Sequence, residues 1–437
     1  MKNYIFLVFF VLFVACESNG EGQSQVEEDV TDDVEEVVEL PECPTSAEEP
    51  VAVLATWQDD PTTTMTIDWH VEGDAQGRAA LCFKEFGDEA FGWESEAQEL
   101  TYPYGDRRIY RTELTGLEPG TTYAFQVGEF ERVFRFRTMP VDIDEEPLVF
   151  ATGGDTQHAP DMFKKTNRVA AEYDLDFVAW GGDLAYADGG ATGFHLERWQ
   201  WWLESVMETL VDDEDRVIPI LVTTGNHEII DGYYFNHDDF EKSDAWREAN
   251  APYFYTFFAF PGHPGFGSLD FGDYLSLLLL DTDHSHPIEG VQTQWLQAQL
   301  AERRQRGVPH IFPIYHVPAF PSHRSPDGAV STRVRENWVP LFEEFGLELA
   351  FENHDHTYKR TRPIRGGEVD EQEGVVYIGD GAWGVITRDG DQRDAWYIEE
   401  FASDRHAIIV TLLGDDRHVL VLSEDGEVLD EVGEPLR

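Results

Sequence analysis

The sequence predicts an all-β sandwich followed by an α/β domain, and three observations carry that reading. Between 50 and 140, short apolar runs alternate with period two and are separated by turns, the pattern of a small sandwich. Beyond the acidic, proline-bounded stretch 140–147 the texture changes, and strands alternate with helical stretches as in sheets carrying helices on their faces. Acids, amides and histidines then recur directly after the strands, where ligands gather in such folds. The 437 residues, 41% apolar and 13% aromatic, suffice for two or three domains with a sizeable core.

Residues 1–16 read as a signal peptide. Lys2 precedes an apolar run from Tyr4 to Ala15, too short to span a bilayer and of the length of a secretory core segment. It ends in Phe13-Val14-Ala15-Cys16, which resembles the lipobox of bacterial lipoproteins, although Phe13 departs from the usual Leu. The expectation is an exported protein, either held at the bacterial cell envelope through a lipid on Cys16 or released by simple cleavage. Residues 17–49 follow as an acidic tether: from Glu17 to Pro50 there are 13 acids and no Lys or Arg, so the segment cannot bury enough apolar surface to order itself.

The net charge of −55 is not confined to the tether, and the whole chain has six lysines. Such a balance resembles proteins adapted to high salt; the alternative is an ordinary acidic exported protein. Either way it disfavours duplex nucleic acid as a partner, since there is little basic surface to displace counterions. Cys43 and Cys82 remain besides Cys16, and in an exported chain they form a disulfide or stay as two free thiols.

Within 50–140 the strands are expected at Met65 to Val71, Ala80 to Phe83, Arg108 to Arg111, Ala124 to Val127 and Val133 to Thr138. The segment Gly116-Leu117-Glu118-Pro119-Gly120-Thr121-Thr122-Tyr123 resembles the tyrosine corner of fibronectin type III-like domains. With no cluster of His, Cys or carboxylates, this domain reads as a spacer or a wall. The second domain, 147–437, has strands at Pro147 to Ala151, Asp176 to Trp180, Val217 to Val222, Ser276 to Leu280, His310 to Tyr315, Leu347 to Phe351 and Val375 to Ile378. Helices fall at Met162 to Tyr173, Phe194 to Leu210 and Val291 to Arg306, and Ala407 to Leu412 with His418 to Leu422 close the chain as hairpins.

Five strand ends carry chemistry. They are Gly153-Gly154-Asp155-Thr156-Gln157, Gly181-Gly182-Asp183-Leu184-Ala185-Tyr186, Gly225-Asn226-His227-Glu228, the lone His316, and Asn353-His354-Asp355-His356. Any one is more often a plain turn or a packed histidine. Together they supply the oxygen and nitrogen donors that hold a pair of transition metals. A similar sixth end, Asp281-Thr282-Asp283, is given no role.

In this order the motifs resemble those of calcineurin-like metallophosphoesterases, and the Tyr186 position resembles purple acid phosphatases, which also carry a fibronectin-like N-terminal domain. The resemblance spans roughly Pro50 to the C-terminus. It implies an α/β metallophosphoesterase domain of two mixed β-sheets flanked by helices, and a phosphatase that cleaves phosphate monoesters by in-line attack of a metal-bound hydroxide. By position it implies one metal, Fe(III), on Asp155, Tyr186 and His356; a second, Zn, Fe or Mn, on Asn226, His316 and His354; and Asp183 bridging. His227 would contact the phosphate or protonate the leaving group, with His323 as a further catalytic candidate although it follows His316 by seven residues rather than about ten. His158 is either structural or a further contact. A phosphodiesterase on the same core is the alternative, and a non-catalytic surface module a third. Two residues depart from the family pattern: Asn353 replaces the usual Gly, and is expected to take that residue's left-handed backbone, and Gln157 also stands where Gly is common.

Overall fold

The structure, a computed structural model, describes Cys43 and residues 49–73, 79–187, 195–230 and 242–436. The leader 1–16 and all of the tether 17–49 except Cys43 and Glu49 lie outside them. In the first domain, Ala52–Thr56, Thr64–Val71, Arg108–Thr115 and Gln98–Thr101 form one antiparallel sheet in that order; Trp93–Glu96, Ala80–Glu85, Thr122–Val127 and Phe134–Arg137 form the other. Period two places Met65, Ile67, Trp69 and Val71 in the core between them. The Tyr123 hydroxyl accepts from the Glu118 N–H at 2.9 Å, closing the expected tyrosine corner. Cys43 and Cys82 are disulfide-bonded.

The alternate residues of Thr64–Val71 read as a solvent face, yet Thr66, Asp68 and His70 are buried as well. The second domain covers His70 and the Asp68 pair. The His70 ring packs on Phe257 at 5.3 Å, and Arg111, paired with Asp68 at 2.7 Å, donates to the Thr256 carbonyl at 2.9 Å. Trp57 lies edge-on against Phe177 and Phe271, at 6.0 and 5.5 Å, so the sandwich core runs on into the second domain.

There, six strands form one mixed sheet in the order Ile220–Val222, Phe177–Trp180, Leu148–Gly153, His406–Leu413, Asp416–Ser423, Val428–Val432, of which the first three are parallel. Seven form the other: Gly267–Phe271, Leu275–Leu279, His310–Ile314, Leu349–Glu352, Val376–Gly379, Tyr358–Thr361, Ile398–Ala402, with the second to the fifth parallel. Phenylalanines fill the space between the sheets, Phe150 stacking on Phe177 at 4.8 Å and Phe177 on Phe271 at 4.9 Å. Helices Pro160–Ala171 and Leu196–Thr209 cover the outer face of the first sheet; Val291–Arg306, Ala329–Asn337 and Val339–Glu344 cover that of the second. The expected strand Val217 to Val222 is shortened to Ile220–Val222, because Val217 instead donates to the Arg135 carbonyl of the sandwich at 2.9 Å.

One expectation fails at Asn353. Left-handed backbone falls on His354 (φ 83°) and His356 (φ 58°), not on Asn353. The Asn353 N–H donates to the His316 carbonyl at 3.0 Å and its Nδ2 to the Tyr315 carbonyl at 2.9 Å, which keeps the residue in line with the strand before it. Its side chain enters the space that two glycines of the other sheet leave open: a Cβ on Gly181 would stand 1.7 Å from Asn353 Nδ2, and one on Gly154 2.6 Å from Oδ1. What Asn353 contributes is an amide wedge between the sheets.

Two outcomes are expected in thermal and denaturant unfolding. Trp57→Ala should cost about 3–5 kcal/mol, since it empties a large buried site shared by both domains. Gly181→Ala should cost about 1–3 kcal/mol by overpacking against the amide. Adding Asn353→Gly should return part of that loss, with a coupling of roughly 1 kcal/mol in a double-mutant cycle, and strictly additive losses would refute the wedge.

Candidate metal centre

The parallel strands of both sheets deliver their carboxyl ends to one place. Asp155 follows Leu148–Gly153, Asp183 and Tyr186 follow Phe177–Trp180, Asn226 opens a short turn after Ile220–Val222, His316 follows His310–Ile314, and His354 and His356 follow Leu349–Glu352. Asp155, Asp183, Tyr186, His354 and His356 all have positive φ, between 52° and 83°. Non-glycine residues avoid that region, and each such residue costs on the order of 1–3 kcal/mol. Five in one site mark a constellation held by its surroundings.

Two groups of donors result. In the first, Asp155 Oδ1 lies 3.0 Å from His356 Nε2 and accepts from the Tyr186 hydroxyl at 2.7 Å, while the same hydroxyl is 3.0 Å from His356 Nε2. In the second, Asp183 Oδ2 lies 3.1 Å from His316 Nε2, which is 2.9 Å from His354 Nδ1. The groups interlock, since Asp155 Oδ2 accepts the His354 N–H at 2.8 Å. All but Tyr186, which is half-buried, are buried. The His316 and His356 rings are oriented from behind: Nδ1 of His316 meets the Gly181 carbonyl at 2.9 Å and Nδ1 of His356 the Ile386 carbonyl at 3.2 Å, leaving each Nε2 to face inward.

The electrostatics are those of a cation site. Burial opposes charge on His316, but the Asp183 and Asp155 carboxylates outweigh it and hold the imidazole at about 9. Burial and the neighbouring His316 charge push His354 well below the usual range. The Tyr186 phenol is pushed well above its ordinary value by burial and by Asp155 and Asp183, so only a strong positive charge beside it would ionise it. Asp183, His316 and His354 turn one donor atom each toward a common point, all within 4.8 Å of one another. Lone pairs this close repel unless a cation or a shared proton stands between them, so the donor set fits metal ions.

Asn226 is buried at the start of the turn Asn226–Glu228. The next residue, His227, donates its N–H to Asp183 Oδ1 at 2.8 Å; its half-buried ring lies 3.9 Å from Asp183 Oδ2 and 4.3 Å, centroid to centroid, from Tyr186. His323 is brought to the site by its backbone: its N–H and that of Arg324 both donate to Asp355 Oδ2, at 2.6 and 3.0 Å, between the two histidines of the last motif. His158 packs edge-on against Tyr186 at 4.6 Å and accepts the Ile386 N–H on Nδ1 at 3.1 Å. Gln157 turns away from the donors and gives its Nε2 to the Arg198 carbonyl at 3.1 Å.

Sequence reasoning missed the supports. Glu228 accepts three buried backbone N–H groups, from Asp183 and Leu184 at 2.8 Å and from Gly225 at 2.7 Å, binding two strand ends together. Its only signal was its place after Asn226-His227. Asp281, given no role, is a structural hub that accepts from the His284 and Ser285 N–H groups at 2.7 and 2.8 Å and from the Thr224 hydroxyl at 3.0 Å. Behind the last motif, buried Lys359 pairs with Glu352 and lies 3.5 Å from Asp380.

Residues 50–138 match the family described as the N-terminal domain of purple acid phosphatase, and 151–358 match calcineurin-like phosphoesterase. Among curated proteins, purple acid phosphatase 18 of Arabidopsis thaliana is 24% identical over 357 residues, covering 78% of this chain and 74% of that protein. Purple acid phosphatase 21 of the same plant is 27% identical over 296 residues, 65% of this chain and 61% of its own length. Acid phosphatase type 7 of Mus musculus is 24% identical over 406 residues, 84% and 87% of the two chains. Among solved structures, a purple acid phosphatase from seeds of yellow lupin (Lupinus luteus) superposes with a TM-score of 0.72 over 87% of this chain and 73% of that one, at 17% identity, which speaks for the fold. Fold, ordered strand-end donors and two adjoining family matches agree: the chain belongs to the purple acid phosphatase group of calcineurin-like metallophosphoesterases, hydrolases built around a dinuclear metal centre.

Proposed function

We propose that the chain hydrolyses phosphate monoesters, with Asp155, Tyr186 and His356 holding one ion, Asn226, His316 and His354 the other, and Asp183 between them. The observation that carries this is the pair of interlocked donor groups with contacts between 2.7 and 3.1 Å. A phenol set against a carboxylate ionises only beside a strongly charged cation, which favours Fe(III) in the first position; the imidazole and amide of the second suit Zn, Fe or Mn. When bound, the two cations supply Lewis-acid charge that acidifies water and neutralises the phosphoryl oxygens.

The chain's own residues do the rest. Asp183 has its oxygens committed to different sides, Oδ1 to the His227 N–H and Oδ2 toward His316, so it presents one lone pair in each direction. The part-exposed His227 imidazole is placed to donate to a phosphoryl oxygen, or to pass its proton to the leaving oxygen as the bond from phosphorus breaks. His323, on a loop lashed to Asp355, is the second candidate for that contact. Among the described residues no helix is long and apolar enough to cross a membrane. The leader and the Phe13-Val14-Ala15-Cys16 sequence support export, with a lipid on Cys16 as the attachment.

Elemental analysis of the purified protein should find about two transition-metal ions per chain, with iron among them; a chain that takes up none after reconstitution would overturn the assignment. Asp183→Asn and His316→Ala should each lower kcat on an aryl phosphate by roughly 100-fold or more, since even residues behind the ligands cost 10- to 100-fold. Retained activity in both variants would sink the ligand assignment. The ratio of rates on aryl phosphate monoesters and diesters, expected to favour the monoester, separates phosphatase from phosphodiesterase.

A further inference from the structure

The chain has 86 acidic residues against 31 Lys and Arg, so a cation without a partner is the exception. Among the described residues Arg388 is such an exception. Its backbone N–H donates to the His356 carbonyl at 3.0 Å, which fixes the residue beside the last motif, and its side chain is half-buried. Yet its guanidinium has no hydrogen-bonding or ion-pairing partner among the described residues. Arg324 reaches the same motif, donating to the His354 carbonyl and to Asp355 Oδ1. Arg324, which pairs with Asp355 at 2.7 Å and keeps 37% of its side chain exposed, adds a second positive charge at the same rim. Two arginines held against one motif, one with its donors unused, make a site for an oxyanion.

On the phosphoesterase reading, the phosphoryl group being cleaved would be held at the metal centre. We infer that Arg388, with Arg324 beside it, forms a subsite for a second phosphoryl group of the substrate, so that the favoured class is phosphate monoesters bearing a further phosphate a few bonds away. The inference rests on the phosphoesterase reading above. A guanidinium donates through a planar fork and matches a phosphate bidentately, which a lysine at the same position would not reproduce.

A matched pair of substrates tests it on the metal-loaded protein: propyl phosphate and propane-1,3-diyl bisphosphate. The wild type should prefer the bisphosphate in kcat/KM. R388Q should reduce that preference by roughly tenfold, the effect of one lost charge-assisted hydrogen bond, with R388K falling between the two. Equal losses on both substrates would place Arg388 on the cleaved phosphate and overturn the subsite, as would a wild type without the preference. Calorimetry with propylphosphonate and propane-1,3-diyl bisphosphonate provides a readout that needs no turnover. There R388Q should weaken the bisphosphonate selectively, again by about tenfold. Selective binding lost in R388Q by a protein that hydrolyses neither ester would sink the phosphatase reading and leave the oxyanion subsite standing; hydrolysis with unchanged discrimination would do the reverse.

Discussion

Three backbone N–H groups at the ends of two neighbouring strands, those of Asp183, Leu184 and Gly225, converge on the single carboxylate of Glu228. The geometry of the centre depends on that convergence. Asp183 sits at φ 53° and Tyr186 at φ 52°, conformations that an isolated loop would relax. Each buried donor left without an acceptor would cost about 1–3 kcal/mol, a sum comparable to the strain of the left-handed residues it opposes. Glu228 therefore decides which conformation wins, and through the Asp183 backbone it fixes where the Asp183 oxygens point. Burial and the nearby Asp183 charge raise the Glu228 carboxyl to about 7, while the Leu184 and Gly225 N–H groups and the His316 charge work the other way, so positive charge at the centre favours the ionised clamp. A cation bound there would thereby be coupled to local folding.

The sandwich contributes by position. One of its strands is buried on both faces, and apolar contacts attach the sandwich to the second domain, Trp57 to Phe177 and Phe271 and Tyr102 to Phe257 among them. The Asp68–Arg111 pair, 2% and 15% exposed, adds little net stability, because taking two charges out of water costs about what their attraction returns. It also ties the strand to the helix Pro252–Phe257, since Arg111 donates to the Thr256 carbonyl there.

How much of this was legible in the sequence follows from which interactions are local. The sandwich, the alternation of strands and helices and the order of the strand-end motifs all follow from periodicity and from glycines beside acids, and the structure has them where they were expected. Edge strands such as Ile398–Ala402, Ile-Glu-Glu-Phe-Ala, carry little apolar signal because an edge pairs on one side and faces solvent. The role of Asn353 was misread for a related reason. A substitution for glycine suggests a backbone requirement at that residue, but the requirement met here is volume, left by Gly154 and Gly181 some 170 to 200 residues away in sequence. Nothing local records that distance. Glu228 and Arg388 were missed likewise, one because its partners lie on two strands, the other because its significance is the lack of a partner.

The charge balance sets a last constraint. A chain at −55 repels a phosphate ester at long range, and a centre that must bind one has to win at short range. Screening decides the contest. At physiological salt the Debye length is about 8 Å, so surface acids farther than that from the cleft are largely silenced, while groups inside it act in a medium of lower dielectric. The positive charge therefore needs to be local, concentrated in the metal pair and in Arg324 and Arg388, rather than spread as a basic surface. At low ionic strength the same acids regain their reach. An anionic substrate then meets a barrier that salt removes, and substrate capture by this fold should rise with ionic strength where most phosphate-binding sites weaken.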